Sequence, residues 1–254
     1  MIKPGHDQSV HHVRMEWGPT GAVAVAAEVT VVVDVLSFTT TVGIAVERGL
    51  AVLPYVWKDD RAREYAAAHD AVLAVGRLEA RDDPRGISLS PAEMAAAPLG
   101  QTERIVLPSP NGSTIAFALA GHGAQVVAGS LRNAGAVAAH LAPLVREGVA
   151  CAVVPAGERW GDGTLRPCVE DLWGAGAVVA GLVDLGVTGL SPEARVAEQA
   201  FRAMQPNLAS ELAGCAGGVE LAAAGFADDV AVAAGLDASR VVPVLRDGEF
   251  VSAS

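Results

Sequence analysis

The chain of 254 residues is 51% hydrophobic, 4% aromatic and 19% charged, and carries a formal net charge of -11. Such a length and apolar fraction support a sizeable buried core, in one large α/β domain or two small ones. The acidic balance excludes nucleic acid, whose phosphate backbone requires clustered Lys and Arg, but not a small phosphorylated ligand, because a metal ion, a helix N-terminus or a few arginines reverse the field locally.

In chain order, residues 1–16 read as an N-terminal extension without the apolar core of a signal segment, and residues 17–254 as a single domain. The longest apolar run, 21–33, is interrupted by Glu28 and too short to span a bilayer, so no membrane partner is expected. Its Val-rich part, residues 22–33, predicts a strand that stops at Asp34, and Ser37, Thr39, Thr40 and Thr41 follow at the start of a helix. A strand over 51–56, a helix over 59–69 and a strand over 72–75 come next. Residues 77–100 mix charges, Pro and Gly without a period, which predicts a long loop with one short helix, opened by the capping box Ser90-Pro91-Ala92-Glu93.

A strand over 104–107 leads through Ser109, Asn111, Gly112, Ser113 and Thr114 into a helix over 112–120. The strand over 125–128 leads through Ser130, Arg132 and Asn133 into a helix over 133–147. The strand over 149–154 is followed by Gly157, Glu158 and Arg159, then by a helix over 169–185 whose first turn carries Glu170 and Asp171. Helices over 192–204 and 208–224 and a strand over 241–245 complete the pattern. Cys151, Cys168 and Cys215 are odd in number and include no C-x-x-C pair, which points to a reducing, cytoplasmic compartment and to neither a disulfide framework nor a zinc ribbon.

Strands alternating with helices predict an α/β fold with a largely parallel or mixed sheet covered on both faces. Ligands of such sheets gather beyond the carboxyl ends of the strands, and four of those ends carry the polar sets just named. Taken singly, Ser, Thr and Asn before a helix are ordinary caps, Asp34 reads equally as a cap or a salt-bridge partner, and adjacent acids in a first helical turn complement the dipole. Their coincidence at four strand ends favours a binding site.

The ordered segments VVVDVLSFTTTVGIAVERG, LPSPNGST, AGSLRNAGAVA, VPAGERWGDGTLRPCVEDLWGAGAVV and ADDVAVAAGLDASRVVPVLRDGEFV resemble the 2-phosphosulfolactate phosphatase family, over nearly the whole chain from Trp17 to Val251. The resemblance implies a three-layer α/β/α sandwich and a Mg2+-dependent phosphatase acting on 2-phosphosulfolactate, or on a related phosphorylated hydroxy acid, in a step toward coenzyme M. The first motif departs from the DVLRASTT often found in the family, with Ser37 and Phe38 in place of an arginine and a small residue.

On that footing, Mg2+ is expected on hard oxygen ligands from Asp34 and from Glu170 or Asp171, with Asp228 as a further candidate. Asp34, Glu170 and Asp171 form the expected catalytic set. Asp171, which borders the apolar stripe of its helix, is expected to be the more buried ligand, and Glu170 to orient the attacking water. The phosphoryl group is expected against Asn111, Gly112 and Ser113, with Ser37, Thr39, Thr40, Ser130 and Asn133 around it and Arg132 or Arg159 neutralising its oxygens. An aspartyl-phosphate route through Asp34 lacks its second aspartate, since Leu36 stands two residues on. A cysteine hydrolase lacks a well-placed histidine. A catalytically silent binding protein for a phosphorylated metabolite is the alternative from another class, and a homo-oligomer is compatible with the many Ala- and Val-rich helices.

Overall fold

The computed structural model describes residues 3–56, 60–82, 86–121 and 123–253. Valine-rich segments supply most of the strands: β1 (Val13–Met15), β2 (Val29–Val33), β3 (Ala51–Tyr55), β4 (Val72–Leu73), β5 (Arg104–Pro108), β6 (Gln125–Gly129), β7 (Cys151–Pro155), the short pair β8 (Glu158–Arg159) and β9 (Leu165–Arg166), then β10 (Pro243–Arg246) and β11 (Glu249–Ser252). The helices are α1 (Gly18–Ala24), α2 (Phe38–Glu47), α3 (Asp60–Ala68), α4 (Arg77–Asp82), α5 (Pro91–Ala96), α6 (Gly112–Ala120), α7 (Ala134–Arg146), α8 (Val169–Asp184), α9 (Pro192–Met204), α10 (Leu208–Gly214), α11 (Ala216–Ala223) and α12 (Ala227–Ala233).

Among the described residues, nine strands join one mixed sheet in the order β1-β7-β2-β6-β10-β11-β3-β5-β4. The block β1-β7-β2-β6 is parallel, as is β3-β5-β4, and the hairpin β10-β11 is inserted between them in antiparallel pairings. β2 is buried along its whole length, and its side chains alternate between two cores. Val31 and Val33 pack with Val127, Val153, Leu141, Val178 and Phe201 under α7, α8 and α9, whereas Val32 packs with Ala128, Val154, Val42, Ile115 and Phe250 under α2 and α6. One sheet with a core on each face is the α/β/α layering, and an uninterrupted Val run is what such a doubly covered strand demands. No helix of the described residues is long and apolar enough to cross a membrane.

Several segments depart from the sequence-based expectation. The run 22–33 divides into α1 and β2, because Gly18 at φ 64° and Pro19 start a helical turn and the Ala/Val composition suits either period. The helix expected over 208–224 breaks at Cys215, whose extended backbone (φ -69°, ψ 163°) ends α10 and whose Sγ accepts the Gly218 N–H at 3.3 Å to open α11. A Cβ at Gly218 would lie 2.0 Å from the Leu212 carbonyl oxygen, so this close turn requires glycine. Helix α4 occupies part of the expected loop over 77–100. Strand β11 returns from β10 through Asp247 and Gly248 at φ 51° and 86°, the Asp-Gly geometry of a tight hairpin. Val13–Met15, in the segment set ahead of the domain, pairs in parallel with β7 as the edge strand.

Candidate active site

Asp34 ends β2 and is 6% exposed. Its Oδ1 accepts the N–H of Phe38 at 3.1 Å and its Oδ2 that of Gly112 at 3.0 Å, so the first residues of α2 and α6 both donate to this one carboxylate. The three threonines fix the chain between β2 and α2. Thr39 Oγ1 accepts from the Asp34 N–H at 2.9 Å and lies 2.8 Å from its carbonyl, Thr40 Oγ1 donates to Val35 at 2.7 Å, and Thr41 Oγ1 reaches the carbonyls of Ser37 and Leu89 at 3.0 and 2.9 Å. Gly112 is required on steric grounds. A Cβ there would stand 2.5 Å from Phe38 Cδ1 and 2.8 Å from Asp34 Oδ2, so any side chain would push α6 off the carboxylate. Ser113 is fully buried, with Oγ 2.6 Å from the Tyr55 carbonyl and accepting the Ser109 N–H at 3.1 Å.

Asp171 ties two strand ends together. Its Oδ1 accepts from Val35 N at 2.7 Å and its Oδ2 from Gly157 N at 2.9 Å, which sets the spacing of the loops after β2 and β7. Glu170 points to another side of α8, where a Cβ on Gly217 would fall 2.3 Å from its Oε1 and the Cys215 thiol lies against it. Both acids are 4% exposed, so burial does not rank Asp171 ahead of Glu170 as the sequence had suggested. Burial pushes the Asp34 carboxyl up to about 6, against the pull of the Phe38 and Gly112 N–H groups and with the negative charges of Glu158 and Glu170 adding to it. Asp171 is held well above the usual carboxylate range, first by burial and then by Asp34 and Glu170.

Asp34, Leu36, Ser37, Arg77, Asn111 and Glu158 line one cleft of about 140 Å³. A neighbouring cleft of about 260 Å³ shares Asn111 and Glu158 and adds Trp17, Arg159 and Leu165. Glu158 and Arg159 arrive on β8, held antiparallel to β9. Asn111 is buried, and its side chain has no hydrogen-bond partner among the described residues. Arg77 reaches the cleft from α4. Its Nε donates to Asp229 Oδ2 at 2.6 Å, its Nη2 donates to Ser37 Oγ at 2.5 Å, and its guanidinium lies 5.7 Å from the Phe226 ring centroid. Asp229 Oδ1 accepts from Ser90 Oγ and from Ala92 N at 3.2 Å.

Other expected site residues lie elsewhere. Asn133 Oδ1 accepts from Ser130 N at 2.8 Å, and its Nδ2 donates to the carbonyls of Ala128 and Val241 at 3.1 Å each, so Ser130 and Asn133 close a turn upon themselves. Arg132 pairs with Glu47 at 3.7 Å, at the end of α2 away from Asp34 and about 14 Å along the helix axis. Asp228 is exposed on α12, while Asp229 is 1% exposed. The sequence held a signal for that choice, since Phe226, Asp229, Val230 and Ala233 share one helical face. Arg77 and Glu158 carried no periodic signal of their own. Cys151, Cys168 and Cys215 are buried free thiols, which burial pushes up to about 12, about 12 and about 11, so none is a ready nucleophile.

Among the described residues, no group of three or more His, Cys, Asp or Glu side chains converges to hold a metal ion. Asp34 and Glu158 nevertheless line the same cleft and repel each other there. Two hard, mutually repelling oxygen donors beside open space fit Mg2+, which takes one or two protein carboxylates and keeps several waters.

Comparison with known proteins gives a consistent result. The family described as 2-phosphosulpholactate phosphatase matches residues 20–248. A protein of Deinococcus radiodurans named probable 2-phosphosulfolactate phosphatase is 32% identical over 228 residues, covering 89% of this chain and 91% of the relative. One of Thermus thermophilus with the same name is 31% identical over 220 residues, 86% of this chain and 88% of that protein. With the match spanning most of the chain, including the Asp34 loop, the chain belongs to the 2-phosphosulfolactate phosphatase family.

Proposed function

We propose that this protein hydrolyses the phosphoric monoester of a small phosphorylated hydroxy acid, with 2-phosphosulfolactate as its first candidate substrate, and that it uses Mg2+ to do so in the cytoplasm, on a route toward coenzyme M. The observation that carries this reading is the small cleft where Asp34 and Glu158 face Asn111 and Ser37, in a chain of this family. Asp34 and Glu158 would hold the ion, with the Glu170 charge reinforcing that of Asp34. Bound there, it would offset charge on the phosphoryl oxygens and make a bound water more acidic.

The chain's own groups do the positioning. Two helix N-termini clamp Asp34, so its carboxylate is oriented before substrate arrives and no reorganisation is needed in the transition state. Asp171, bonded to Val35 and Gly157, fixes the gap between Asp34 and the Glu158 that follows Gly157. The Asn111 amide, which has no hydrogen-bond partner among the described residues, would donate to a phosphoryl oxygen. Glu158 is only partly buried and lines both clefts, which favours it over the enclosed Glu170 as the carboxylate that accepts a proton from the attacking water.

Phosphate release from 2-phosphosulfolactate, 2-phospholactate and 2-phosphoglycerate, with Mg2+ and with excess chelator, tests the reading. Mg2+-dependent release from at least one acid is expected. Thermal stabilisation by these acids without any release would instead identify a silent binding protein.

A further inference from the structure

A phosphoryl group entering the cleft meets the carboxylates of Asp34 and Glu158 on its walls, and among the described residues Arg77 is the cationic side chain that lines the same space. The Arg77–Asp229 pair is not enclosed equally on both sides. Here Asp229 is 1% exposed while Arg77 is 21% exposed, so the pair is closed on the carboxylate side and open on the guanidinium side. Of the five guanidinium N–H groups, one goes to Asp229 and one to Ser37 Oγ, leaving both on Nη1 and one on Nη2 for another acceptor. Asp229 cannot easily turn to another partner, because its second oxygen is taken by Ser90 Oγ and Ala92 N. Phe226 supports the guanidinium from α12's N-terminal side.

Resting on the phosphatase reading above, we propose that Arg77 is the residue that grips the phosphoryl oxygens of the substrate, and that Asp229 is the positioning residue that aims its free N–H edge into the cleft. A planar fork with several parallel donors suits an oxyanion better than a lysine's point charge does. The cation comes from the start of α4, just beyond the end of β4, and is held over the cleft by a contact spanning 152 residues of sequence.

Calorimetric titration of inorganic phosphate into the full chain with Mg2+ present, beside steady-state kinetics on the acids above, tests the assignment. Arg77→Gln should weaken phosphate binding roughly 10- to 100-fold and raise KM in parallel. Arg77→Lys should recover only part of the loss. Asp229→Asn should weaken binding less, and the double variant Arg77→Gln/Asp229→Asn should bind no worse than Arg77→Gln alone, a non-additivity that a purely structural Asp229 would not produce. Wild-type phosphate affinity in Arg77→Gln, or in Arg77→Lys should the glutamine variant fail to fold, overturns the proposal even if the wild-type protein is an active phosphatase, as does a wild-type protein that binds no phosphate. Arg77-dependent phosphate binding in a protein that releases phosphate from none of the acids upholds the proposal and refutes the phosphatase reading.

Discussion

β2 and β6 lie side by side in parallel, with Val33 opposite Gly129, and each ends in a polar turn that opens a helix. One turn faces a cleft and the other closes on itself. After β6, Asn133 spends its amide on Ser130, Ala128 and Val241, and Arg132 binds Glu47 and the Val232 carbonyl. After β2, the threonines satisfy the backbone and leave the Asp34 charge facing a cleft with two N–H donors and, among the described residues, no paired cation. Polar residues at a strand end thus signal function only where the fold leaves one of their charges or donors unanswered.

Four experiments break or sharpen that contrast. The largest effect is expected at Asp34: Asp34→Asn should lower kcat/KM roughly 100- to 1,000-fold, since it removes the charge while keeping the shape. Kinetics within about threefold of wild type would erase the distinction between the two turns.

Asn133→Ala should do the reverse, costing about 2–4 kcal/mol of stability by stranding buried partners at Ser130, Ala128 and Val241, while kcat/KM below the unfolding transition stays within about threefold. Denaturant unfolding and kinetics on the same sample separate these outcomes.

A third test uses pH on the metal-free protein. The folded-state value of Asp34 is raised to about 6, above the ordinary value, so the folded state binds more protons than the unfolded chain between about pH 4 and 6. Stability should therefore fall as pH rises through that window, by on the order of 2–3 kcal/mol, with Asp171 shifting in the same direction. Saturating Mg2+ should flatten the slope. A metal-free stability that rises from pH 4 to 6 would contradict the uncompensated charge.

The smallest effect is expected at Arg132. Arg132→Gln removes a partly exposed ion pair with Glu47 and should change stability by about 1 kcal/mol or less, with KM unaltered. A tenfold rise in KM would place Arg132 at the substrate after all.

Local chemistry was legible in the sequence. Ser90 and Ser191 cap α5 and α9 by accepting the Glu93 and Ala194 N–H groups at 3.1 Å each, as Ser-Pro before an alanine-rich run implies, because capping is settled within a single turn of chain. The alternation of Val runs with helices likewise announced a doubly covered sheet, and Asp34 stood out as a charge ending a buried strand. Apolar residues alone could not separate α1 from β2, since Ala and Val satisfy both periods over so short a span.

What only the tertiary structure decided is which polar groups meet. Gly112 reaches Asp34 across 78 residues, Asp171 reaches Val35 across 136, and Asp229 rather than Asp228 reaches Arg77 across 152. A cap is chosen by neighbours along the chain, but these contacts require long loops to close, and that entropy is repaid only by the two cores that hold all the elements in register. The sequence by itself therefore determined most of the central strands, the caps and the solitary carboxylate, while the packing of both sheet faces selected its companions.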